Sequence, residues 1–177
     1  MKRVESLLIT EETVFNVVKL AAMLRENDSL AVLMYGAPDP DAISSAMALR
    51  ELAHQKAGLV RCVFVATQPF VRHQNLEFAR SMGIDIQLLD RTDLTEYRLI
   101  AVVDSQPSFF GNALGNIHPQ IVLDHHPRKP GWHAELEDIR KGYGALSTIM
   151  TGYLLAARVR IPRILYTALL YGIRSDT

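Results

Sequence analysis

The sequence predicts an α/β fold: a mainly parallel sheet flanked by helices on both faces. Three observations carry this. Apolar runs of strand length alternate with stretches of helical spacing along a chain of 177 residues. The apolar runs are continuous, as strands buried on both faces are. Helical stretches follow the first two runs, where βαβ crossovers place them.

The elements read in order as follows. Thr10–Glu26 is a helix, with Val14, Val17, Val18, Ala21 and Leu24 at helical spacing and a capped, acidic start at Thr10-Glu11-Glu12. Leu30–Tyr35 is a buried strand, and Ala42–His54 is helical through Ile43, Met47 and Leu49–Leu52. Val60–Ala66 is the next strand. Asn75–Met82 is a helix stopped by Gly83, and Arg72-His73-Gln74-Asn75 reads as a polar helix start or as a stretch that reaches substrate. Asp85–Leu89, Leu99–Asp104 and Gln120–Leu123 read as strands. Ala145–Val159 and Arg163–Ile173 read as helices, with Pro162 at a helix-start position.

Composition bounds the function. The chain is 49% hydrophobic and 21% charged, ordinary for one globular core, and its formal net charge is zero. A neutral chain has no broad electrostatic grip on long nucleic acid or an anionic membrane. No apolar stretch reaches membrane-span length, and Met1-Lys2-Arg3 leads into a mixed segment rather than a signal core. A cytoplasmic location is the expectation. Cys62 is the lone cysteine, inside an apolar run, and reads as a core residue. His54, His73, His118 and His133 read as surface or loop residues, and Trp132 as loop packing. There is no Gly-x-Gly-x-x-Gly, Walker-type or Gly-x-Ser-x-Gly motif.

Chemistry gathers where strands end. Leu30–Tyr35 runs into Pro38-Asp39-Pro40-Asp41, Leu99–Val103 into Asp104, and Ile121–Leu123 into Asp124-His125-His126. In an open parallel sheet these carboxyl ends share one edge, where ligands bind. Two carboxylates about 4 Å apart repel by roughly 4 kcal/mol at an effective dielectric of about 20. A divalent cation removes that strain, and carboxylates with an imidazole suit Mn²⁺. Taken singly, each motif is a turn or a helix cap; together they suggest a metal site.

Five elements in order then resemble the DHH family of phosphoesterases: Pro38-Asp39-Pro40-Asp41-Ala42 with Ser44-Ser45-Ala46; Val103-Asp104-Ser105; Asp124-His125-His126; Gly144-Ala145-Leu146-Ser147-Thr148; and Gly172–Thr177, closing on Asp176-Thr177. The family includes RecJ-like exonucleases, oligoribonucleases, adenosine bisphosphate phosphatases, cyclic-dinucleotide phosphodiesterases and exopolyphosphatases. The resemblance implies a DHH-type domain with two Mn²⁺ ions, Mg²⁺ being the other ion such ligands admit. It implies Asp39 on one ion and Asp41 on the other, Asp104 bridging, His125 and Asp176 on the second ion, and Asp124 orienting the histidines. His126 is expected at the substrate phosphate and in catalysis with Asp104. Ser44, Ser45 and Ser147 are expected to touch phosphate or simply to cap helices.

The resemblance implies hydrolysis of a phosphate ester of a nucleotide or short oligonucleotide by two-metal activation of water. The neutral charge points to such a small substrate, with long nucleic acid and membranes not expected as partners of this domain alone; oligomeric state is left open. Tyr35 departs from the family, standing where a histidine ligand of the first ion is usual, so the first ion is expected to be weak, to take another ligand or to be absent. Residues 1–177 are expected to form one metal-binding domain, a fragment lacking the smaller C-terminal substrate-binding domain of such proteins. The alternative is a non-catalytic DHH-like domain that binds a nucleotide or a protein partner.

Overall fold

The computed structural model describes residues 7–177. Met1-Lys2-Arg3, read above as a start without a signal core, lie outside the described residues. Among the described residues, five α-helices and six strands follow in order: α1 (Glu11–Arg25), β1 (Ser29–Met34), α2 (Pro40–Ala57), β2 (Arg61–Ala66), α3 (His73–Ser81), β3 (Gln87–Leu88), β4 (Leu99–Val103), β5 (Ile121–Asp124), β6 (Leu136–Ile139), α4 (Leu146–Ala156) and α5 (Arg163–Asp176). Short 3₁₀ turns fill the β3–β4 connection, and a longer 3₁₀ segment, Pro107–Leu114, fills β4–β5.

Local chemistry sets the helix ends. The Thr10 hydroxyl accepts from Thr13 N, Asp39 caps α2 by accepting from Ala42 N, and Gly58 closes α2 in the left-handed conformation that glycine adopts freely. In α1 the buried stripe is Thr13, Asn16, Val17, Leu20, Ala21, Met23 and Leu24. Val14 and Val18, expected on that stripe, lie exposed. The apolar spacing was satisfied by two faces, and the polar Thr13 and Asn16 took the inner one.

The strands pair in parallel throughout, in the order β3-β2-β1-β4-β5-β6. The chain winds outward from β1 in one direction, then returns to start β4 on the other side of β1. The break between β1 and β4 is a topological switch point, where adjoining loops part and leave a crevice at the carboxyl edge.

Both sheet faces are covered, by different material. Leu30, Val32, Met34, Ala101, Val103, Ile121 and Leu123 face the main core, which receives all five α-helices. Ala31, Leu33, Val63, Ile100, Val102 and Val122 face a smaller core closed by Leu94, Phe110, Leu114 and Trp132 from turns and 3₁₀ segments. The helical cover of the second face is of the 3₁₀ kind, as in Leu94–Glu96 and Pro107–Leu114. Cys62 packs at the rim of the main core, and burial pushes its thiol up to about 12, leaving it protonated and inert. No helix among the described residues is long and apolar enough to cross a membrane.

Candidate metal centre

The carboxyl ends of β1, β4 and β5 deliver side chains to the switch-point crevice, and α5 completes the ring. Asp41, in the first turn of α2, is fully buried. Its two oxygens accept from Leu146 N and Ser147 N, 2.7 Å each. These are the first amides of α4, and the positive end of that helix favours the carboxylate. Burial raises the Asp41 pKa, against the pull of those bonds.

Asp104 follows β4 directly and has φ 53. Non-glycine residues in this region store about 1–3 kcal/mol of strain, and Asp is among the more tolerant. The twist leaves its amide bonded to Leu123 O at 2.9 Å, so the residue stays locked to β5. Burial, then the charges of Asp41 and Asp39, push Asp104 well above the usual carboxylate range, with His125 opposing.

His125 stands at the end of β5. Its Nδ1 lies 3.1 Å from Tyr143 O, a carbonyl that only an Nδ1–H donor can satisfy, so Nε2 is the free ligand atom. Nε2 lies 3.2 Å from Asp104 Oδ1, 3.6 Å from Asp176 Oδ2 and 3.8 Å from Asp41 Oδ2. The Asp104 carboxylate beside it raises the His125 pKa to about 9, against burial. Asp104 Oδ1 and His125 Nε2 are nevertheless misaligned for a hydrogen bond. Both are buried without a partner among the described residues.

Asp176 arrives by close helix packing. A Cβ on Gly172 would sit 2.5 Å from Ser147 Oγ and 3.1 Å from Ser44 Oγ and Pro40 O, so only glycine lets α5 approach α2 and α4 this closely. Asp176 stands one turn further along the same face. Burial, then Asp41 and Asp39, raise its pKa.

Around this ring stand the supports. Asp124, fully buried, accepts from His125 N at 2.8 Å, and its Oδ1 lies 2.8 Å from His126 Nδ1. Its other oxygen accepts from Gln106 Nε2 at 2.7 Å. His126 leaves its other ring nitrogen unengaged among the described residues, with the side chain 45% exposed. Asp39 uses one oxygen on the Ala42 amide. A cleft of about 270 Å³ opens beside it, lined by Ala37, Val71, Arg72 and Asn75. Asn75 Nδ2 donates to Pro38 O and ties α3 to the Asp39 loop.

The residues fit a divalent ion. Two groups of ligand atoms lie within 4.8 Å of one another: Asp104, His125 and His126, and Asp41, His125 and Asp176. An orphaned carboxylate oxygen facing an orphaned imidazole nitrogen, ringed by two more carboxylates, is costly without a cation. Carboxylates with one imidazole favour a hard-to-borderline ion.

The serines were misread. Ser44, Ser45 and Ser147 are fully buried: Ser44 Oγ donates to Ala168 O at 2.7 Å, and Ser45 and Ser147 meet each other. They are packing between α2, α4 and α5, with no route to a phosphate. Tyr35 ends up 49% exposed, its ring 5.8 Å from Phe109 and 5.5 Å from Phe110. Gln106 and Tyr143 were missed, because a buried amide or a backbone carbonyl leaves no periodic or motif signal.

No family model matches the chain. It is 36% identical over 149 residues to an uncharacterised protein of Methanocaldococcus jannaschii, a match covering 84% of this chain and 30% of that protein. Its fold is similar to that of an exopolyphosphatase-related protein from Bacteroides fragilis, with a TM-score of 0.72 and 16% identity, over 96% of this chain and 51% of that one. The chain thus spans about half of the solved structure and under a third of the curated relative, and what it shares with the solved structure is the parallel α/β fold.

Proposed function

We propose that this is the metal-binding domain of a DHH-type phosphoesterase, a manganese-dependent hydrolase acting on a nucleotide or short oligonucleotide. The observation that carries the reading is the orphaned pair, Asp104 Oδ1 and His125 Nε2, buried at the switch point within reach of Asp41 and Asp176. The description of the solved neighbour as exopolyphosphatase-related supports hydrolysis at phosphorus.

Asp41, Asp104, His125 and Asp176 would hold one Mn²⁺, and Asp39 with Asp104 the other. A bound ion pair supplies Lewis acidity toward a phosphoryl oxygen and a lowered pKa for water. The chain's own residues do the rest. The Leu146 and Ser147 amides keep Asp41 oriented, and the Tyr143 carbonyl keeps the His125 Nε2 lone pair facing inward. His126, steadied by Asp124, presents its free nitrogen to the opening, where in protonated form it donates to a phosphoryl or leaving oxygen. Arg72, at the mouth of the cleft beside Asp39, would meet a substrate anion.

The test is hydrolysis, followed by chromatography of the products, of a dinucleotide, adenosine bisphosphate, a cyclic dinucleotide and polyphosphate, with Mn²⁺ and after chelation. Metal-dependent turnover on one of them, abolished in Asp104→Ala, is expected. Full turnover by Asp104→Ala, or by the chelated protein, would sink the reading. Tyr35, packed on two phenylalanines, favours a second reading, a non-catalytic domain that binds a nucleotide; it would show nucleotide binding without turnover.

A further inference from the structure

We propose that Tyr35, braced by Phe109 and Phe110, is a platform on which a nucleobase stacks while the phosphate of the same nucleotide lies at His126. The site then takes nucleotides in preference to polyphosphate. The inference rests on the phosphoesterase reading above for the place of the phosphate, and adds what that phosphate is attached to.

The sheet fixes where the ring stands. β1 and β4 run side by side, with Leu33 opposite Val102. Two residues further on, the same register sets Tyr35 abreast of Asp104, on strands about 4.8 Å apart. Ala31 and Leu33 face the smaller core, and alternation sends Tyr35 to that side. There Phe109 and Phe110 meet its ring at 5.8 and 5.5 Å. Gly36 N donates to Thr67 Oγ1 at 2.7 Å and Thr67 N to Met34 O at 3.3 Å, so the backbone on both sides of the ring is pinned beyond the end of β2.

Two chains of contact join this ring to His126. His126 Nδ1 lies 3.9 Å from Asp104 Oδ1, and Asp104 stands beside Tyr35. By the other route, Asp124 joins His126 to Gln106, and the Gln106 carbonyl accepts from Phe109 N at 2.9 Å. The half-exposed phenol ring and the half-exposed imidazole therefore flank one stretch of the carboxyl edge, where parallel sheets bind ligands.

Single exposed apolar side chains are ordinary on a protein surface. Tyr35 differs in being held. The two phenylalanine rings meet it at 59° and 61°, contacts that fix one ring orientation while half of the residue stays open. A ring already fixed loses little freedom when a base stacks on it. Every base has a π face, so such a platform tolerates any of them and gives nothing to a bare phosphate chain.

The experiment is a calorimetric titration of the purified protein in Mn²⁺ with AMP and with ribose 5-phosphate, which lacks only the base that would stack. The parent should bind AMP at least about fivefold more tightly than the sugar phosphate. Tyr35→Ala should weaken AMP by about 5–100-fold and bring the two ligands level, with the sugar phosphate within about threefold of the parent. Tyr35→Phe keeps the ring and should keep the preference. Equal affinities in the parent would overturn the proposal and leave the phosphoesterase reading standing. So would an undiminished preference in Tyr35→Ala, an equal weakening of both ligands in that variant, or a loss in Tyr35→Phe as large as in Tyr35→Ala. A folded parent that binds neither ligand would remove the phosphate site itself, and this inference with it.

Discussion

Two clusters of buried charge lie on either side of β5, and they are built to opposite rules. On β6, Asp138 accepts from Arg140 Nε at 2.6 Å and Arg140 Nη2 at 2.7 Å, and from the Tyr153 hydroxyl at 2.6 Å. Arg140 Nη1 donates to Thr13 Oγ1 at 2.8 Å. The Asp138 side chain is fully enclosed, yet both of its oxygens are satisfied. At the switch point Asp104 and His125 are nearly as enclosed, and their facing atoms have no partner among the described residues. The first cluster joins β6 to α1 and α4 and is complete in itself. The second leaves two facing polar atoms unsatisfied among the described residues, the arrangement a cation would complete.

The contrast is sharpest under mutation. Asp138→Ala strands a buried guanidinium and should lower stability by about 3–5 kcal/mol, read from the denaturant midpoint. A loss under about 1 kcal/mol would mean the cluster is not the joint described here.

The opposite sign is expected at the metal centre. In chelated protein, Asp41, Asp104 and Asp176 hold their protons to higher pH than in the unfolded chain. The folded state then binds more protons, so stability falls as pH rises above the usual carboxylate value of about 4. His125 works in the same direction: its contribution is full below about 6.5 and lost as pH passes about 9. Melting temperature should therefore decline from acid toward pH 9. Asp104→Asn should flatten the decline without lowering stability at pH 8, and saturating Mn²⁺ should reverse the slope in the parent, because ligands must shed protons to bind. A flat profile in chelated parent protein would show that these groups are not strained.

The smallest effect belongs to the surface. Although partial burial opposes ionisation, Arg128 and the Ala134 amide hold Glu137 below the usual range. Its stabilisation is present above the unfolded pKa and lost as pH falls through the folded one. Glu137→Gln should cost no more than about 1 kcal/mol at pH 7, and nothing at pH 3, by thermal melts at both values.

Much of the fold was legible because strands buried on both faces write themselves as unbroken apolar runs. Leu30–Met34 and Leu99–Val103 were plain for that reason. The strand Leu136–Ile139 was not, since its buried Asp138 looks like surface until Arg140 and Tyr153 are placed beside it. Pro107–Leu114 reads as loop because Gly111, at φ 54, breaks any helical run. At the site, the acidic and imidazole residues were visible as strand-end punctuation. The roles of the serines were not, because a hydroxyl near a helix start looks the same whether it meets a ligand or, as Ser44 does, a carbonyl of α5.

The strand order has a consequence for how the protein comes together. The four side chains of the ring, Asp41, Asp104, His125 and Asp176, come from α2, the end of β4, the end of β5 and the last turn of α5. Closing contacts between segments so far apart is slow, because loop entropy must be overcome before any contact rewards it. No early local nucleus can contain the whole ring. An ion held by this ring would therefore enter late, because a chain in which α5 has not yet docked offers at most three of the four side chains. Occupancy of the centre would mark the finished fold.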